Sequence, residues 1–238
     1  MVQLLVGSAV FFFGSMLQGV AGFGLGLIGA PILLMFYSTS MVTAMLAIFA
    51  SSSNLVILWS LRRSVNRRLY LLLLAGAVFG IIPGAMIRHL VPLTAFKWII
   101  GVLIIGCGGV LATGWQLKRQ NNMLTVGVGF LAGVLGGGLS IAGAPVSIFL
   151  TAGELSKNEF RATISLFFLS VNVLVTAALA LGGQLSFELV KLAPIYISLI
   201  CLGSALGTRL GFFVPARVFR LVVICLIICS GASLLIFS

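Results

Sequence analysis

The chain has 238 residues, 61% of them hydrophobic and 7% charged. Its 14 lysines and arginines stand against 3 acids, for a formal net charge of +11. A soluble domain carries roughly a quarter charged residues, so this composition excludes one and points to an integral membrane protein.

Taken in chain order, residues 1–38 form a nearly uncharged run. Met1-Val2-Gln3-Leu4-Leu5 lacks a basic n-region, so no cleaved signal is expected. A span over 41–60 ends at Arg62, Arg63, Arg67 and Arg68, and a span over 69–87 is closed by Arg88, His89 and Pro92. The next, over 93–115, is closed by Lys118, Arg119, Asn121 and Asn122. A second near-uncharged run covers 123–152, followed by a polar loop from Glu154 to Arg161. Three more spans cover about 162–183, 188–208 and 217–237. The expected fold is an all-α polytopic membrane bundle with no separate soluble domain.

The two uncharged runs are too long for one crossing of a hydrocarbon core about 30 Å thick; as straight helices they would measure roughly 57 and 45 Å. Both are interrupted by glycine and ended by proline. The first reads Gly19-Val20-Ala21-Gly22-Phe23-Gly24-Leu25-Gly26-Leu27-Ile28-Gly29-Ala30-Pro31. The second reads Gly133-Val134-Leu135-Gly136-Gly137-Gly138-Leu139-Ser140-Ile141-Ala142-Gly143-Ala144-Pro145. They superpose at an offset of 114, and the match continues as the offset drifts to 123 through small insertions in the second half's loops: Asn54 falls opposite Asn172, Gly80 and Gly84 opposite Gly203 and Gly207, Val91-Pro92 opposite Val214-Pro215. Two homologous halves are therefore expected, at 1–118 and 119–238, each with a Gly-rich broken or re-entrant helix followed by three spanning helices.

Charge decides how the second run crosses. If it crosses once, the bases divide seven and seven between the faces, and the distribution is uninformative. If it folds back, loops 61–68, 116–122, 154–161 and 209–220 share one face with eleven bases, leaving Arg88, Lys97 and Lys191 opposite. That is the bias of cytoplasmic loops, so the hairpin is favoured and those four loops are assigned to the cytoplasm. By internal symmetry the first run should fold back too, and two halves with an odd number of passes are then inverted.

Broken backbone at membrane depth must be buried or face a cavity, and glycine permits the break. A short helix is expected to restart near Leu25 and again near Leu139. Two helix starts meeting near the midplane would offer unpaired N–H groups to an anion. The candidate binding residues are Gln18, Gly22, Gly24, Gly26, Asn54, Gly136, Gly137, Gly138, Ser140 and Asn172. Gly80, Gly84, Gly203 and Gly207 instead read as close-packing glycines, and Arg88 and Arg209 as snorkelling bases. Cys107, Cys201, Cys225 and Cys229 sit in apolar segments as small packing residues, with no metal site or cofactor expected. The acids lie near loops, and the apolar runs hold no HExxH, serine–histidine pair or acid dyad, so an enzyme is not expected. The bases form no aromatic-interleaved face for nucleic acid.

The paired strings Gly19–Pro31 and Gly133–Pro145, with Lys157-Asn158-Glu159-Phe160-Arg161-Ala162 leading into the next helix, resemble the TauE/SafE sulfite exporter family, also called TSUP transporters. The resemblance covers essentially the whole chain, with departures at Phe23 and at Gly143-Ala144-Pro145. It implies an inner-membrane carrier of sulfite, sulfonates or a related organosulfur anion. The residues themselves leave three rivals: an anion channel, a carrier of a non-sulfur solute, and a non-transporting scaffold subunit. Oligomeric state is not addressed by the sequence.

Overall fold

The structure, a computed structural model, describes residues 2–90, 98, 102, 105–106, 108–109, 112–113, 121–139, 143–153, 155–183, 185 and 187–236. The span expected over 93–115 lies largely outside the described residues. The continuous helices among the described residues are α1 Val2–Ala21, α2 Leu25–Leu34, α3 Thr39–Leu61, α4 Arg67–Leu90, α5 Asn122–Leu139, α6 Gly143–Ala152, α7 Lys157–Leu181, α8 Phe187–Phe213 and α9 Ala216–Ile236. A single 3-10 turn, Arg62–Ser64, follows α3. There is no strand among the described residues, and five of their helices are long and apolar enough to cross a membrane. The protein is a multi-pass helical membrane protein.

Local chemistry sets several boundaries. α3 starts at the cap Ser38, whose hydroxyl accepts from Met41 N at 3.4 Å. α7 starts at a full capping box, with Ser156 accepting from Glu159 N and the Glu159 carboxylate accepting from Ser156 N at 3.0 Å. α1 stops because Gly22 and Gly24 hold φ of +85° and +126°, values L side chains rarely adopt. Beyond the break α2 returns along α1: a Cβ built on Gly14 would lie 3.4 Å from Leu25 Cγ, and one on Gly29 would lie 3.2 Å from Val10 Cγ1.

The second glycine string corrects an expectation. Helix α5 runs through Gly133, Gly136, Gly137 and Gly138 to Leu139, so no helix starts near Leu139, and the next described helix is Gly143–Ala152. A glycine in a helix costs about 1 kcal/mol in water. In hydrocarbon, however, there is no water to bond a freed backbone, so intrahelical bonds persist unless another partner replaces them.

Glycine's other use here is close approach. Gly76, Gly80 and Gly84 of α4 face the backbones of Val126, Phe130 and Val134, while Gly129 and Gly133 of α5 face Leu73 and Ala77. Gly203 and Gly207 of α8 face Phe12 and Met16 in the same manner, and a Cβ on Gly19 would lie 2.7 Å from Ser204 O. Residue numbers rise together in both pairs, so α4 runs parallel to α5 and α1 parallel to α8.

Four connections meet at one end of the bundle. Asn66 N donates to Thr163 Oγ1 at 3.0 Å, and Arg68 Nη2 donates to Asn122 Oδ1 at 3.0 Å. Lys157 Nζ donates to Phe212 O at 3.2 Å and Val214 O at 2.7 Å. Leu61 at the end of α3 packs with Ala162 near the start of α7. Thus α1, α3 and α8 arrive at this end, while α4, α5 and α7 leave it. Two expected loops prove shorter than the charge pattern suggested. Helix α7 already begins at Lys157, which draws Arg161 into it, and α8 and α9 are parted only by Val214 and Pro215.

Close backbone contact without side chains makes these glycines intolerant of bulk. Gly80→Val or Gly207→Val should lower the unfolding free energy in detergent by about 1–3 kcal/mol, the usual cost of overpacking. Gly26→Ala, where the added methyl meets open space, should leave the unfolding transition unchanged. Equal denaturation midpoints for all three variants would contradict the packing role.

Candidate functional site

Polar side chains are costly in the apolar interior of a membrane protein, yet a group of them is buried around the α1–α2 break. Ser15 and Gln18 come from α1, Ser53 and Asn54 from α3, Arg161 and Ser165 from α7, and Ser204 and Thr208 from α8. Gln18 Nε2 donates to Asn54 Oδ1 at 2.8 Å, and Ser204 Oγ donates to Ser53 Oγ at 2.7 Å. Ser165 Oγ donates to Gly22 O at 3.4 Å, tying α7 directly to the break.

Arg161 is the largest side chain among the fully buried ones, at 0% exposure. It lies one turn inside α7. Its Nη2 donates to Gly19 O at 2.5 Å and to Thr208 O at 3.2 Å, and the guanidinium carbon stands 5.5 Å from the centre of the Phe212 ring. Gly19 O belongs to the last turn of α1, where carbonyls lack intrahelical donors, so the guanidinium caps that helix end. Two glycines make room: a Cβ on Gly211 would lie 2.8 Å from the guanidinium carbon, and one on Gly22 would lie 3.0 Å from Arg161 Cα and 2.9 Å from Ile164 Cγ2.

The cluster also leaves polar atoms without partners. Arg161 Nε and Nη1, Gln18 Oε1, Asn54 Nδ2 and Thr208 Oγ1 are buried and make no hydrogen bond among the described residues. Donors outnumber acceptors among them, and the nearest acid along α7, Glu159, bonds its own capping residue instead.

Of the residues the sequence singles out, Gln18, Gly22, Gly24 and Asn54 come together here. Gly24 is the N-cap of α2 and supplies no side-chain cap, so the α2 amides at the break are left to other partners. Gly26 is exposed in the first turn of α2, with nothing within 4 Å of an added Cβ. Asn172 is half-buried on α7, eleven residues beyond Arg161 and so on the same face. Gly136, Gly137 and Gly138 continue α5, and Leu135 just before them packs with the hydrophobic core that holds Ala21 and Phe23 at the break. Ser140 lies outside the described residues.

Sequence reasoning counted Arg161 as a loop base and missed it as a buried one. The capping signature Ser156-Lys157-Asn158-Glu159 carried the needed information: it starts the helix before Arg161. The internal repeat carried a second signal, because the cap Ser38 lies 118 residues before the cap Ser156, and at that offset the counterpart of Arg161 is the neutral Thr43.

A multi-pass bundle whose helix breaks at glycines beside a buried polar cluster is the architecture of a membrane transporter. The chain belongs to the sulfite exporter TauE/SafE family, whose model matches residues 7–234. It is 27% identical over 252 aligned residues to a probable sulfite/organosulfonate exporter TauE of Cupriavidus necator, an alignment covering 99% of this chain and 93% of that one. No solved structure matches it.

The Gln18–Asn54 pair is open to a direct energetic test. In a double-mutant cycle with Gln18→Leu and Asn54→Leu, read by reversible unfolding in detergent, the coupling should be about 1 kcal/mol, as for other interhelical hydrogen bonds in membranes. Strict additivity would show that the pair contributes nothing to joining α1 and α3.

Proposed function

We propose that this protein exports a small sulfur-containing oxyanion, sulfite or an organosulfonate, by alternating access between two inverted halves, 1–118 and 119–238. The observation that carries this reading is the buried, donor-rich cluster at the α1–α2 break in a chain of the TauE/SafE family. Net positive character without a neighbouring carboxylate suits an anion, and unpaired N–H and hydroxyl groups suit its oxygens.

The course of the helices supports the inverted arrangement. Aligned by the internal repeat, α1, α3 and α8 arrive at the end of the bundle that their counterparts α5, α7 and α4 leave. The two glycine-lined pairs, α1 with α8 and α4 with α5, are counterparts under the same exchange. Parallel pairs of this kind are suited to move as rigid units, since their backbones touch and little side chain must repack. The paired folding back of α1–α2 and α5–α6 would make each a re-entrant hairpin.

The inner membrane is the expected location, with the end that carries Arg62, Arg63, Arg67, Arg68 and Lys157 in the cytoplasm. Cytoplasmic positive charge would draw the anion toward the face from which it is exported. The named activity of the Cupriavidus necator relative agrees with this direction.

The reading is tested by flux and by binding. Purified protein in proteoliposomes should carry sulfite or a short sulfonate saturably, and the same anion should raise the melting temperature of the detergent-solubilised protein in proportion to its occupancy. Gly24→Leu, which forces a side chain onto a φ of +126°, should abolish flux while the protein still elutes as a monodisperse species. Flux that never saturates would favour a channel. Absence of both flux and thermal shift with every sulfur anion would overturn the substrate class.

A further inference from the structure

Resting on that reading, we infer that Arg161 is the substrate-binding cation of this transporter, a guanidinium held at the α1–α2 break to take the oxyanion. A planar guanidinium has five N–H donors. Nη2 directs its two to Gly19 O and Thr208 O, and those on Nε and Nη1 have no acceptor among the described residues. The side chain is thus anchored by one nitrogen and unsatisfied on the other two.

A purely structural arginine would be expected to use its donors. Capping the end of α1 needs one N–H, and a neutral amide could supply it without burying a charge. A buried cation without a counter-ion opposes folding, since its desolvation is not repaid by the two carbonyls it meets. An incoming oxyanion supplies what is missing: a compensating charge and acceptors for the free N–H groups, bonds shorter and stronger than neutral ones.

The surroundings fit this role. Gly211 lets the α8 backbone pack directly against the guanidinium, where any side chain would collide with it and displace it. Thr208 Oγ1 and Asn54 Nδ2, both buried and unpartnered, are further donors in the same cluster. Ser165, four residues along the same face of α7, bonds the carbonyl of Gly22 at the break. The complete burial of Arg161 describes an occluded arrangement, which either half must open for exchange.

The two roles, anion binding and helix capping, predict opposite behaviour on substitution. Arg161→Gln and Arg161→Lys are purified beside the wild type, and each is scanned for its melting temperature without anion and with sulfite, a short alkylsulfonate, phosphate and acetate. The expected result is that Arg161→Gln melts at or above the wild-type temperature without anion, because a desolvated charge has been removed. Its affinity for the anion that stabilises the wild type should fall about thirtyfold or more, as on truncating one partner of a buried charge pair. Arg161→Lys should keep a weaker anion response, having the charge without the fork of donors.

An anion-induced shift in Arg161→Gln within threefold of the wild-type affinity would overturn the inference while leaving the transport reading intact. So would failure of both variants to fold, because the guanidinium would then be held for the architecture. A wild type stabilised by phosphate or acetate alone, with that response lost in Arg161→Gln, keeps the role of Arg161 and overturns the sulfur substrate. A wild type that responds to no anion overturns both.

Discussion

The constraint on which this protein depends is that hydrocarbon offers no partner for backbone or charge. A polar group placed in the apolar interior is costly unless another part of the chain, or a ligand, answers it. That is why the interruption at Gly22–Gly24 is not a loose end. Gly22 N returns to Gln18 O at 2.6 Å, Gly19 O takes a guanidinium donor, and Gly22 O takes the hydroxyl of Ser165. Helix α7 exists at that point in the bundle partly to serve the break in α1.

The same constraint explains how glycine is divided between two tasks. At Gly22 and Gly24 it allows backbone angles other residues rarely reach, and a helix ends. Along α4, α5 and α8 it keeps helical angles and allows contact between backbones, so that parallel helices join without a wide layer of side chains. Aromatic packing supplies bulk elsewhere: Phe11, Phe49 and Tyr196 meet with ring centres 4.8–5.6 Å apart between α1, α3 and α8. Phe23, in a position flanked by glycines, fills its place in the core beside Phe160, whose own neighbour is Phe219. The break is therefore embedded in a packed interface with α7 and α9.

Burying a cation beside such a break has a physical logic for a transporter. A guanidinium fully satisfied by protein would have little to gain from a ligand, and one exposed to water would be screened and hydrated. Arg161 lies between these extremes: fixed in direction by two carbonyls and left unsatisfied elsewhere. Binding energy for an anion would come from relief of that shortage. Because the side chain is fully buried, an anion that bound it would tie occupancy to conformation.

Much of this was legible along the chain. The scarcity of charge fixed the membrane class, and the matched strings Gly19–Pro31 and Gly133–Pro145 located both places where long apolar runs fail as single helices. The close-packing reading of Gly80, Gly84, Gly203 and Gly207 agrees with the backbones they face, and Gln18 and Asn54, picked out as polar residues near the first string, meet in a hydrogen bond. Two things were not legible. The two strings look alike, yet Gly22 and Gly24 of the first take positive φ and end a helix, while the second stays helical through Gly138; glycine permits either conformation, so its presence alone does not choose between them. Arg161 reads as one more base beside a loop, since a linear count cannot distinguish a side chain that points to water from one that turns inward. Period, composition and capping are local and can be read in order. The partners of a freed carbonyl or a buried guanidinium lie 47 and 142 residues away, and only the folded chain brings them together.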